Sequence, residues 1–154
     1  MTTLFDEKWM KLALEQAKVA QSKGEIPVGA VIVQGEEVIA LSHNLCETEK
    51  DATAHAEMLA VRQACQRLGT NRLSDCTLYV TLEPCPMCAG ALIHARIGRI
   101  VYAAKDPRAG ALGSLVNLNA YPLESHPVCE NGLMAEASLA LLRDFFKKLR
   151  EKSK

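Results

Sequence analysis

The chain has 154 residues, 49% of them apolar and 23% charged, a length and composition suited to a single folded domain over residues 1–154. Its formal net charge is zero, and no apolar run approaches the ~18 residues needed to cross a bilayer; both argue against a membrane-spanning chain and a broadly basic nucleic-acid binder. The charge is uneven: the final KKLREKSK holds five basic and one acidic side chain, while the preceding 146 residues hold 13 basic and 17 acidic. Such a tail can meet phosphates, or simply end a solvated helix whose negative pole favours cations.

The start, MTTLFDEKW, lacks a basic segment followed by an apolar one, so no secretory signal is expected. The six cysteines (46, 65, 76, 85, 88 and 129) are then expected to be reduced, in a cytoplasmic protein. A helix is predicted from about Asp6 to Lys23. Phe5, Trp9, Leu12 and Val19, with Met10, Ala13, Ala17 and Ala20, form a wide apolar stripe, and Gly24 ends it. VGAVIVQ (28–34) is almost wholly apolar, which suits a central strand buried on both faces. Gly35 and Glu36 turn into a second strand near Val38 to Ser42. The next helix runs from about Ala54 to Leu68, with Asp51 or Thr53 as its cap and Gly69 as its end.

TLYVTL (77–82) is a third strand, rich in β-branched and aromatic residues. CPMC opens a short helix to about Ala95, RIVYAA (99–104) is a fourth strand, and KDPRAGALG (105–113) is a glycine-rich loop. A short strand near Val128 precedes a last helix, about Leu133 to Arg150. Ala135, Leu139, Leu142, Phe146 and Leu149 mark its core-facing stripe. After the first helix the order β-β-α-β-α-β then β-α predicts an α/β fold, a mixed sheet with helices on both faces.

Cys85 and Cys88 stand just after the third strand, each closely preceded by a proline. Pro84 keeps Glu83 out of helical geometry. Pro86 fits the first helical position, where its missing N–H costs nothing. Cys85 therefore falls at the helix cap and Cys88 in the first turn, with free backbone N–H groups and the positive helix end favouring thiolates. TAHAEM (53–58) sets His55 and Glu57 at another helix start. Side chains there lean towards the N-terminus, so a metal beyond the helix end is within their reach. Two helix N-termini facing one ion supply His55, Cys85 and Cys88, and leave the fourth zinc position open to water, as in a catalytic site.

A CxxC pair alone is equally compatible with a redox couple or chance. A thioredoxin-type reading leaves His55 unexplained. A closed structural zinc needs a fourth ligand, and Cys46, Cys65, Cys76, Cys129, His43, His94 and His126 lack ligand spacing to one another. The other four cysteines are expected to be small buried hydrophobes, and His94 and His126 are given no role. Glu57 on its own reads as a first-turn glutamate favoured by the helix dipole. Beside three metal ligands it becomes the candidate proton shuttle.

The combined pattern, H-A-E followed by P-C-P-M-C, is the H-x-E…P-C-x-x-C signature of zinc nucleobase deaminases. Beyond it, PVGAVIV (27–33), His43–Asn44, TLYVTLEPCPMCAGALIHARI (77–97), DPRAGALGS (106–114) and LLRDFFKKLR (141–150) make nearly the whole chain resemble the bacterial tRNA adenosine deaminases. The H-A-E and P-C-x-M-C pieces are shared with cytosine, guanine and deoxycytidylate deaminases; the glycine-rich loop and the "DFF" helix favour the tRNA branch. The resemblance implies a cytidine deaminase-like three-layer α-β-α sandwich with about five strands, one Zn2+ per subunit, and a homodimer acting on a tRNA anticodon stem-loop. It implies hydrolytic conversion of adenosine to inosine at the wobble position; a guanine or cytosine deaminase of free bases or nucleotides is the alternative. Asn44, whose amide can donate and accept, is the candidate base reader. Asp106 is either a contact to the ribose 2′-OH or, standing before Pro107, a turn residue.

Overall fold

The computed structural model describes residues 2–153; Met1 and Lys154, the last residue of the basic tail, lie outside them. Helix α1 (Leu4–Ser22) leads into strands β1 (Gly29–Gln34) and β2 (Glu37–His43), then a short α2 (Cys46–Glu49) and α3 (Ala56–Leu68). Strand β3 (Cys76–Leu82), α4 (Pro86–His94), β4 (Arg99–Ala104), β5 (Val128–Asn131) and α5 (Ala135–Lys152) complete the chain. Among the described residues, five strands form one sheet in the order β2-β1-β3-β4-β5. β1 is antiparallel to β2 and β3, whereas β3, β4 and β5 run parallel.

Alternation along the strands builds two cores, one on each face of the sheet. Ala30, Ile32, Leu78, Val80, Ile100 and Tyr102 pack with Ala56, Ala60 and Ala64 of α3 and with Ala89 and Leu92 of α4. The residues between them, Val31, Val33, Tyr79, Val101 and Ala103, pack with Trp9, Met10, Ala13 and Leu14 of α1 and with Leu141 of α5. The result is the expected three-layer sandwich with a mixed sheet. Helix α1 lies so close to β1 that a Cβ at Gly29 would meet the backbone N of Ala17 at 2.6 Å.

Three details depart from the sequence reading. Phe5 and Val19 of the α1 stripe are solvent-exposed, while Asp6 is buried in their place. Asp6 is held by the Arg99 guanidinium at 2.8 and 3.0 Å and by the Tyr79 hydroxyl at 2.6 Å, so a charged residue enters the core paired. In α5 only Ser138 is buried among the described residues, and its hydroxyl donates to the Thr81 carbonyl at 2.6 Å. Phe146 and Leu149 of the expected core-facing stripe of α5 are exposed. Of the cysteines expected in the core, Cys76 is buried, but Cys46, Cys65 and Cys129 are half-buried.

No described helix is long and apolar enough to cross a membrane.

Candidate metal centre and active site

Helices α3 and α4 begin side by side at one end of the sheet. His55 is the N-cap residue of α3 and Cys85 that of α4, with Pro86 at the first helical position. The His55 Nδ1 atom lies 3.6 Å from the Cys85 sulfur and 3.4 Å from the Cys88 sulfur. One ligand atom from each of the three residues falls within 4.8 Å of the others. The two segments read as helix starts thus meet, although they belong to separate strand-to-helix connections.

The cap of α3 differs from expectation. Asp51 accepts from the Thr53 N–H and hydroxyl at 2.8 and 2.7 Å, closing its own turn rather than capping the helix. The Ala56 N–H is met instead by Asn44 Oδ1 at 2.8 Å, while Asn44 Nδ2 donates to the Ile26 carbonyl at 3.3 Å. The α3 end is therefore satisfied from another loop, and the His55 ring remains turned towards the sulfurs.

The electrostatics follow from this crowding. A hydrogen bond from the Cys88 thiol lowers the Cys85 pKa to about 4 against burial, helped by His55 and the Cys88 N–H. The same bond, with burial and the nearby Glu57 carboxyl, drives the Cys88 thiol pKa up. Hydrogen bonding to Cys85 raises the His55 pKa against burial. A thiolate, a buried thiol and an imidazole facing one point make a soft donor set of two sulfurs and one nitrogen. That composition fits a zinc ion with one open position.

Glu57, in the first turn of α3, is 4% exposed. Burial pushes its carboxyl up to about 7, against the pull of its own backbone N–H and of His55. A carboxyl with that pKa is suited to both accepting and releasing a proton near neutral pH.

His55, Glu57 and Cys85 lie in the wall of a cleft of about 700 Å³, with Asn44 and Asp106 also on its lining. Asp106 Oδ1 accepts from the backbone N–H groups of Arg108 and Ala109 at 3.0 and 3.3 Å. Asp106 therefore makes the turn and also borders the cleft. Phe145, Phe146 and Leu149 of α5 form an apolar side of the same cleft. His94 pairs with Glu124 and His126 with the Tyr121 carbonyl, and neither residue lines this cleft.

Two cleft residues, Glu25 and Glu83, carry no role in the sequence reading. Glu25, 1% exposed, accepts from the N–H groups of Glu47 and Thr48 and from the Thr48 hydroxyl, at 3.1, 2.6 and 2.6 Å. Burial alone would raise its pKa, but these hydrogen bonds outweigh burial and hold it below the ordinary value. Glu83 is likewise buried on the opposite loop. The one local signal was an acidic residue between an apolar strand and the P-C-P-M-C segment.

The MafB19-like deaminase family matches residues 5–150. A tRNA-specific adenosine deaminase of Bacillus subtilis (strain 168) is 49% identical over 150 residues, 97% of this chain and 93% of its own. One of Aquifex aeolicus (strain VF5) is 48% identical, over 94% of this chain and 95% of its own. A structure from studies of A-to-I editing by tRNA:A34 deaminases is 44% identical with a TM-score of 0.85, covering 88% of this chain and 99% of that one. A guanine deaminase from Nitrosomonas europaea shares the fold at a TM-score of 0.78 but is 26% identical, over 94% of this chain and 85% of its own. With close to half its residues shared over almost its full length, this chain belongs to the tRNA-specific adenosine deaminase family.

Proposed function

We propose that this protein hydrolyses adenosine to inosine at the wobble position of a tRNA anticodon. The observation that carries the reading is the buried Glu57 carboxyl in the wall of a cleft, beside the convergent His55, Cys85 and Cys88. Identity of 48–49% to tRNA-specific adenosine deaminases over 94–97% of this chain, against 45% over only 64% of it for a guanine deaminase of Bacillus subtilis, supports the substrate class.

His55, Cys85 and Cys88 would hold the zinc ion, which when bound acidifies water for attack. Glu57 accepts a proton from the attacking water and delivers it to N1 of the purine, beside C6. The C6–oxygen bond forms as the ring loses aromaticity. Glu57 then carries the second proton to the departing amine, the C6–nitrogen bond breaks, and ammonia leaves. Asn44 meets the base, its orientation set because the Ala56 N–H only donates and so must face Oδ1. A single-stranded loop makes it cheap to splay the target base into the cleft.

The apolar side chains Leu115, Val116, Tyr121, Leu123 and Val128 are exposed, which supports a homodimer; tRNA bound across both subunits and a cytoplasmic location follow from the family membership. The test is incubation with an anticodon stem-loop, followed by sequencing for adenosine read as guanosine and by an ammonia assay. Guanine, cytosine and their nucleotides form the parallel arm. Conversion of the stem-loop alone is expected; turnover of free bases without it would overturn the reading.

A further inference from the structure

Glu83 is a buried carboxylate that the chemistry above does not use. It is 2% exposed, two residues before Cys85 in the chain. Its Oε1 accepts from the Asp106 N–H at 3.1 Å and from the Ser114 hydroxyl. Its Oε2 accepts from the N–H groups of Leu112 at 3.0 Å and Ser114 at 3.1 Å. As a carboxylate it has no hydrogen to give, and each oxygen faces two donors. The loop closes over it at Gly110, where a Cβ would stand 2.5 Å from both carboxylate oxygens. Two backbone bonds tie the same segment down: the Ala111 N–H donates to the Pro84 carbonyl, and the Glu83 N–H donates to the Ala104 carbonyl at the end of β4, both at 2.8 Å.

We propose that Glu83 is a positioning residue for the substrate: its carboxylate is the internal anchor of the 106–114 loop and holds Asp106 at the border of the cleft. The assignment rests on the proposed function and on reading Asp106, which lines the cleft, as a contact to the ribose of the target nucleotide. Glu57 and the metal ligands are held separately, by the starts of α3 and α4. Loss of the anchor therefore weakens substrate capture and leaves the chemical step in place. A misplaced contact raises KM, because binding energy realised before the chemical step is lost.

The test uses the full-length zinc-loaded protein and an anticodon stem-loop RNA. Glu83→Gln keeps the shape but turns an NH2 towards two donors. Gly110→Ala leaves Glu83 in the sequence and displaces its carboxylate with one methyl. Both are expected to raise KM about tenfold, with kcat within about threefold of the parent and zinc content unchanged. Ser114→Ala, which removes one of the four donors, moves KM in the same direction by less. In Asp106→Ala the anchor has nothing left to position, so adding Glu83→Gln produces no further rise in KM. Zinc loss or a kcat defect at unchanged KM in Gly110→Ala would overturn the proposal by tying Glu83 to the metal segment. Additive effects of Glu83→Gln and Asp106→Ala would overturn it as well. Should Glu83→Gln fail to fold, Gly110→Ala and Ser114→Ala decide by the same criteria. A parent protein inactive on the stem-loop overturns the functional reading and this assignment with it; an active parent with unshifted variants overturns this assignment alone.

Discussion

Asn44 Oδ1 accepts the backbone N–H of Ala56 at 2.8 Å, tying the loop after β2 to the first turn of α3. The residue proposed to meet the base is thereby tied to the helix start that carries His55 and Glu57. Asn44→Ala should lower stability by about 1–2 kcal/mol, as for loss of a helix cap. That corresponds to a Tm decrease of roughly 2–8 °C for a protein of this size. Deamination measured well below Tm should fall further than this loss of stability explains. Retention of full activity would leave Asn44 as a cap alone.

Glu57→Ala should retain zinc and the fold while deamination falls by at least ~10²–10⁴-fold. Zinc content and activity are measured on the same preparation. If zinc leaves with activity, Glu57 is a ligand or a structural residue instead.

Replacement of His55, Cys85 or Cys88 by Ala should abolish zinc retention and lower Tm, because metal binding is coupled to folding. Chelation of the parent protein should lower Tm in the same direction. Full zinc occupancy in Cys88→Ala would remove Cys88 from the ligand set.

Arg150 and Lys152 are exposed beyond the cleft-lining Leu149. Truncation after Leu149 should weaken tRNA binding and make log K less steep in log salt by about 0.7–0.9 per lost phosphate contact. An unchanged slope would assign the tail to a solvated helix end.

Asp106→Asn preserves the turn, because an amide oxygen still accepts from Arg108 and Ala109. With Oδ1 held by those N–H groups, it replaces the second carboxylate oxygen by an NH2, which cannot accept from a ribose 2′-OH. The preference for an RNA hairpin over the same hairpin in DNA should fall by about 1.5–3 kcal/mol in single-turnover rates. An unaltered RNA-to-DNA ratio would leave Asp106 with the turn only.

The Asp6–Arg99 pair gives a pH signature of folding. Hydrogen bonding to Arg99, with Tyr79 and Thr3, holds the Asp6 pKa well below its ordinary 3.8 despite burial. The folded pKa lies below the unfolded one, so this stabilisation is complete above about 3.8 and is lost as pH falls towards the folded value. Asp6→Asn should cost about 1.5–3 kcal/mol at neutral pH, since it takes one of two carboxylates from the Arg99 guanidinium while Glu130 stays paired with it at 3.0 Å. The deficit should shrink in acid; a deficit that stays constant down to low pH would exclude the ion pair as its source.

Much of this protein was legible in the sequence because its signals are local. An almost wholly apolar run marked β1, and β-branched and aromatic residues marked β3. Gly69 marked the end of α3, where the structure has it left-handed at φ 67°. Pro86 put Cys85 at a helix cap. Two helix starts, each carrying candidate ligands, already implied a shared point beyond their ends. Tertiary structure decided what depends on partners distant in the chain. It set Asn44 rather than Asp51 or Thr53 against the start of α3, and buried Asp6 on Arg99 in place of Phe5. It turned the outer part of the α5 stripe into a wall of the cleft. It also revealed Glu25 and Glu83 as the internal anchors of two cleft loops. A carboxylate or amide carries no periodicity of its own: whether it is solvated, caps a helix or gathers a loop depends on the donors that the folded chain brings to it.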